Sequence, residues 1–234
     1  MKVLFVLLAM VILTSCSQEL VLMNNTDAES GYLPIKTKYV RLGDGDFFVQ
    51  EGILNYATPD FLDEEQKQVY LRALSLYPIF NGSPMLIADY PLQDGSYPAS
   101  DKMGTEAIEI DGVAYFRVFG RYAKWSDFQN MMLSVFTEEY FPIISNNCIE
   151  HNGDTYILDS AAGTPFYSNM ENVPDTFELV SKNDSEIVFF RYQYFFETGN
   201  ENPIFKNKYD IVMKKIDEIW YVDLFEKDCE IAIE

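Results

Sequence analysis

The side chains able to do covalent or acid–base chemistry are unevenly supplied in this 234-residue chain: three cysteines (Cys16, Cys148 and Cys229), one histidine (His151), and 37 Asp and Glu. A serine or cysteine nucleophile works beside a base, most often histidine. His151 instead precedes Asn152-Gly153, a pair that predicts a two-residue turn, so it reads as a strand-end residue. No Gly-x-Ser-x-Gly, no phosphate-binding glycine loop and no metal-ligand spacing occurs. Zinc held by Cys148 and Cys229 needs two further ligands, which a single histidine does not supply. Paired carboxylates of the glycosidase kind are available in any chain this acidic, but sequence does not reveal which two stand about 5–9 Å apart. The expectation is a protein that is not an enzyme and uses no metal and no cofactor.

Cys16 has a chemistry of its own. Lys2 is followed by an unbroken run of eleven apolar residues from Val3 to Leu13, and then by Thr14-Ser15-Cys16. A helix needs about 20 apolar residues to cross a hydrocarbon core, so this run predicts the hydrophobic region of a secretory signal. Small residues ahead of a cysteine at that place look like a bacterial lipobox, in which the thiol is diacylated, the signal is cut away and Cys16 becomes the first residue. Residues 1–15 are therefore expected to be a lipoprotein signal peptide, and 16–36 a flexible tether without hydrophobic periodicity. Residues 37–234 are expected to form a single domain. The mature chain is expected to be extracytoplasmic, anchored to a bacterial membrane through its acyl chains, with no other surface that must touch lipid.

Lys2 is the only charged residue of the signal. The mature chain thus carries 16 Lys and Arg against 37 Asp and Glu, a net charge of −21 where the whole sequence has −20. Such a surface repels nucleic acid and anionic lipid, and no basic stripe with interleaved aromatics occurs, so the expected partner is basic or neutral. At 48% hydrophobic and 15% aromatic residues the composition is nevertheless that of a folded chain. In an oxidising compartment Cys148 and Cys229 are either a disulfide or two buried thiols, and spacing leaves both open. Sequons at Asn24, Asn81 and Asn183 read as turn chemistry, because general sequon glycosylation is not expected in a bacterium.

The elements that would position these residues follow from periodicity. Thr58-Pro59 predicts a helix start, and the helix runs to a stop at Pro78; Leu62, Val69, Tyr70, Ala73, Leu76 and Tyr77 form one apolar stripe. Glu64 and Glu65 in its first turns read as exposed partners of the helix dipole. Asp111-Gly112 between two β-prone runs predicts a hairpin. WSDFQNMMLSVF reads as a second helix with Trp125, Phe128, Met132, Val135 and Phe136 on one face, and a short third helix is expected from Thr137 to Phe141, before Pro142. From Asn146 the period changes to two: Cys148–His151 with Asp154–Leu158, Thr176–Val180 with Glu186–Phe196, and Phe205–Ile216 with Ile219–Phe225. Val188, Phe190, Tyr192, Tyr194 and Phe196 share one face and Arg191 and Gln193 the other, so the apolar face is expected to lie under the helices. The expected fold class is α+β, a curved antiparallel meander packed against helices.

A set of these residues resembles a known family. FLDEEQ at 61–66 with Tyr70 and Leu76-Tyr77, the segment IEIDGVAYFRVFGRYAKWSDF, the following VFTEEY, and Tyr156-Ile157-Leu158-Asp159 with Gly163 are similar to exported proteins of the IseA family. The likeness covers roughly residues 60–225. Those proteins inhibit the D,L-endopeptidases that cut peptidoglycan stem peptides, and their fold is cystatin-like; the resemblance implies the same fold and a cell-wall D,L-endopeptidase as partner. It carries no functional residue across. The alternative expectation is a lipoprotein that binds a small ligand in an aromatic pocket between helices and sheet. For docking, the candidate contact loops are Gly43–Phe47, with Asp44, Asp46 and Phe47, and Ala161–Asn172, with Phe166 and Tyr167.

Overall fold

The computed structural model describes residues 39–41, 48–50, 57–80, 106–158, 166–167, 173–197 and 199–233. Thr37–Glu234 forms one compact unit. It is mixed and sheet-rich, with three antiparallel sheets and a few helices, as an α+β chain should be.

In chain order the elements are strands β1 (Tyr39–Arg41) and β2 (Phe48–Gln50), helix α1 (Glu64–Phe80), strands β3 (Ala107–Ile110) and β4 (Val113–Arg117), and helices α2 (Trp125–Leu133) and α3 (Phe141–Ile144). Seven strands follow: β5 (Cys148–His151), β6 (Asp154–Leu158), β7 (Phe166–Tyr167), β8 (Thr176–Lys182), β9 (Glu186–Glu197), β10 (Phe205–Ile216) and β11 (Ile219–Ala232). β1 and β2 pair with each other. β3, β4, β6 and β5 form a four-stranded sheet in that order. The larger sheet runs β11-β10-β9, and the far edge of β9 is shared by β8 and the short β7.

The strands expected to make one meander are therefore divided between two sheets. β5 and β6 do not continue into β8; instead Arg117, Phe116 and Tyr115 of β4 pair with Tyr156, Ile157 and Leu158 of β6. A second link holds the helical segment to the large sheet. Val222 of β11 exchanges backbone hydrogen bonds with Val135 and Thr137, a parallel bridge centred on Phe136, and Tyr140 donates its hydroxyl proton to the Phe225 carbonyl at 2.6 Å.

Helix α1 starts five residues later than the Thr58-Pro59 signal suggests. Asp63 and Gln66 cap it reciprocally: each backbone N–H donates to the other's side-chain oxygen, at 3.0 and 2.9 Å. Pro78 lies inside the helix, which continues to Phe80. Pro142 likewise falls in the first turn of α3, where its missing N–H leaves no hydrogen bond unmade, so it opens the helix that it was expected to end. α2 stops at Leu133, and Phe136 leaves the helix to make the bridge to Val222.

The core lies between α1 and the large sheet. Tyr77 stacks on Phe225 at 4.5 Å, Tyr70 meets Phe177 and Phe189 edge-on, and Phe61 meets Phe189 at 5.4 Å. Burying each such large side chain contributes about 1.5–3 kcal/mol. The predicted stripe of α1 is buried throughout, and Leu71, Leu74 and Ser75 are buried as well, so the helix is enclosed on more than one side.

On the first half of β9 the buried face is the opposite of the expected one: Ile187, Phe189 and Arg191 face the core, and Val188, Phe190, Tyr192 and Tyr194 are only half-buried, whereas Phe196, near the strand's end, is buried as expected. Two contacts explain the inversion: Arg191 is neutralised inside by Asp175, and lysines shield the outer aromatics. Lys208 stands 3.7 Å over Phe190, and Lys206 stands 4.5 Å over Tyr192.

Candidate functional site

β9 carries Arg191 into an aromatic run, FFRYQYFF, and alternation turns its side chain toward the core. Its Nε–H donates to Asp175 Oδ2 at 2.6 Å, and the two side chains are 3% and 1% exposed. The guanidinium also lies 5.0 Å over the Tyr209 ring, whose hydroxyl donates to Gln193 Oε1 at 3.1 Å. Tyr70, from α1, is wholly buried beside this group, and its hydroxyl has no hydrogen-bond partner among the described residues. Burial is the largest influence on the Tyr70 hydroxyl and pushes its pKa up; the nearby Arg191 charge opposes the rise only in part.

The position of this cluster gives it meaning. Asp175 immediately precedes β8, and β7 pairs with Phe196 and Glu197 of the same strand that carries Arg191. The candidate contact segment Ala161–Asn172 is thus tied to β9 by the β7 backbone within it and by the Arg191–Asp175 pair just after it. Of the expected contact residues, Phe166 and Tyr167 make up β7; Asp44, Asp46 and Phe47 lie outside the described residues, as does Cys16. Sequence reasoning did not single out Asp175, and it placed Tyr70 only in the apolar stripe of the first helix and in the family resemblance. The one available signal was a charge, Arg191, inside a hydrophobic strand run.

The remaining chemical groups lie apart. Cys148 and His151 stand three residues apart on β5, so their side chains leave opposite faces; Cys148 is buried and His151 exposed, edge-on to the Tyr156 ring at 5.6 Å. Burial pushes the Cys148 thiol up to about 12. Cys229 is an exposed free thiol on β11, beside Asp228 and opposite Lys208. The two thiols belong to different sheets and are not bridged. Glu64 and Glu65 are exposed in the first turn of α1, as expected. No group of three or more His, Cys, Asp or Glu among the described residues could hold a metal ion, and no described helix is long and apolar enough to cross a membrane.

The four-stranded sheet has its own charged group. Arg117 donates to Glu106 at 2.8 Å and to Asp154 at 2.6 Å, and Asp154 also accepts from Lys124. Lys124 and Glu106 are more than half exposed, so solvent screens this network. Among known proteins, no family model matches the chain, and no curated protein is similar to it in sequence.

Proposed function

We propose that this chain is a lipid-anchored extracytoplasmic binding protein with a cystatin-like fold that acts by docking on a cell-wall D,L-endopeptidase and inhibiting it. The observation that carries the reading is charge: −20 over the whole chain, with a pI near 4.3, on a folded domain whose acidic surface would speed encounter with a basic enzyme. The packed rings of Tyr70, Tyr77, Phe189 and Phe225 between helix and sheet favour docking over a ligand pocket at that place. Anchorage through Cys16 would keep the domain where such enzymes work.

The experiment is an inhibition assay with the purified mature chain and a D,L-endopeptidase. The protein alone should cleave nothing, and it should slow the enzyme. Raising ionic strength from about 0.05 to 0.5 M shortens the screening length severalfold and should weaken inhibition, mainly by slowing association. An enzyme that works at full rate beside a large excess of the protein would end this reading.

A further inference from the structure

The longest hairpin, β10–β11, ends in Ile216-Asp217-Glu218-Ile219, and its two turn residues both have positive φ, 49° and 67°. A two-residue turn of this kind puts both central residues in the left-handed region, where glycine is the easy second residue. The β3–β4 hairpin makes the same turn with the easy solution: Ile110-Asp111-Gly112-Val113, with φ of 53° and 79°. At 218 the chain keeps a glutamate. That choice carries backbone strain with little structural return, since the Glu218 side chain is 90% exposed and its bond among the described residues is a surface pair with Lys215.

Ile216 and Ile219 are 45% and 52% exposed and directly opposite one another. The β3–β4 tip also exposes an opposed aliphatic pair, Ile110 and Val113, but it has one acid in its turn where the β10–β11 tip has two. Asp217 and Glu218, the two residues between Ile216 and Ile219 in the chain, supply the carboxylates of the tip, and Glu218 also pairs with Lys215 at 2.6 Å. The finger is stiffened just behind the tip. Trp220 is buried, and the Lys215 N–H donates to the Ser185 carbonyl of the neighbouring turn at 2.8 Å. An exposed aliphatic pair joined by two acidic turn residues is complementary to an apolar groove rimmed by lysine or arginine.

We infer that the Ile216–Ile219 tip is the docking finger of this protein, and that its occupant is a basic-rimmed apolar groove on the partner enzyme. The inference rests on the docking reading above. The isoleucines supply the buried anchor, Asp217 and Glu218 meet the basic rim, and the strained glutamate is retained because a glycine there would lose the charge.

The test measures the dissociation constant of the mature chain, in detergent, for a purified D,L-endopeptidase. Ile216→Ser with Ile219→Ser should weaken binding at least tenfold, while Ile110→Ser with Val113→Ser at the other tip should leave it unchanged. Glu218→Gly should raise the melting temperature and still bind several-fold more weakly; because it relieves the turn, it decides the matter if the serine pair fails to fold. Wild-type binding matched by the folded serine pair, or by Glu218→Gly where that pair does not fold, overturns the finger and leaves the docking reading standing. A wild-type chain that binds no D,L-endopeptidase removes the docking reading, and the finger with it. A melting temperature that Glu218→Gly leaves unchanged or lowers overturns the strain argument for the glutamate.

Discussion

The large sheet and the four-stranded sheet each carry one arginine–carboxylate group, and the two differ chiefly in burial. Arg191 and Asp175 are 3% and 1% exposed; Arg117 and Asp154 are 28% and 15% exposed, with the more open Glu106 and Lys124 around them. The distances are the same, 2.6 Å. Geometry alone would rank the pairs equal. Desolvation separates them: inside the core a lone charge has no water to turn to, whereas at the surface either partner can be rehydrated. The buried pair should therefore behave as a unit that cannot be half removed, and the surface group as a set of nearly independent, weak contacts.

The sharpest way to break that contrast is to remove half of the buried pair. Asp175→Ala leaves Arg191 charged beside Tyr70 and Tyr209, and Arg191→Leu leaves a buried carboxylate; either should cost about 3–5 kcal/mol. For a domain of this size that lowers Tm on the order of 10 °C. Denaturant titration monitored by tryptophan fluorescence would read the loss. If either single variant loses less than about 1 kcal/mol, the pair is not carrying the charge burial ascribed to it.

Removing both charges at once sharpens the same point. Arg191→Met with Asp175→Leu replaces two desolvated ions with apolar side chains, and such replacements are often neutral or stabilising. The double variant should fall within about 1.5 kcal/mol of the parent and far above either single variant. A double loss equal to the sum of the singles would mean that the two residues act separately, contrary to their 2.6 Å contact.

The two thiols divide by burial in the same way, with the sheets exchanged: the buried Cys148 belongs to the four-stranded sheet and the exposed Cys229 to the large one. In a chain whose Cys16 thiol is acylated or removed, a thiol reagent at pH 8 should modify one cysteine per folded molecule, Cys229, ahead of the other. The second should react only on unfolding, because burial both shields Cys148 and pushes its thiol up to about 12, far above the working pH. Slow modification of both would mean that Cys229 is sheltered like Cys148, and no modification even of the unfolded chain until reductant is added would mean that the thiols are bridged.

Much of this arrangement was legible in the sequence because it follows from local rules. The Asp111-Gly112 and Asn152-Gly153 turns and the limits of β5, β6 and β10 fall where turn chemistry and period two put them. What was not legible depends on contacts distant in sequence. Period two shows that β9 has two faces, but both are rich in large apolar residues, and the choice between them is made by Asp175, sixteen positions upstream of Arg191. Similarly, nothing local tells β6 to pair with β4 instead of passing into β8. Prolines 78 and 142 misled for a related reason. Proline forbids only its own N–H bond and a clash one turn back, so its effect depends on where in the helix it falls. Of the candidate site, the segment containing Phe166 and Tyr167 was visible as a turn-rich aromatic stretch, but the nearby Arg191–Asp175 ion pair was visible only as an arginine out of place.

The smallest expected effect belongs to the surface group, and it is best seen through pH. The hydrogen bond from Lys124, with the Arg117 charge in support, holds the Asp154 carboxyl below the ordinary value of 3.8. A carboxylate whose folded pKa is depressed adds stability that is fully present above the unfolded value and is lost as pH falls through the folded one. The difference in stability between the parent and Asp154→Asn should accordingly be small at pH 7 and close as the solution is taken below about pH 4. It should also shrink with added salt, because Lys124 is 61% exposed and its charge is screened. Carbon-detected NMR of the Asp154 carboxyl should give a midpoint below 3.8, the sign that the contacts favour the ion. A midpoint above 3.8, or a difference that persists in acid and in high salt, would show Asp154 to be sheltered like Asp175 and would erase the contrast between the two sheets.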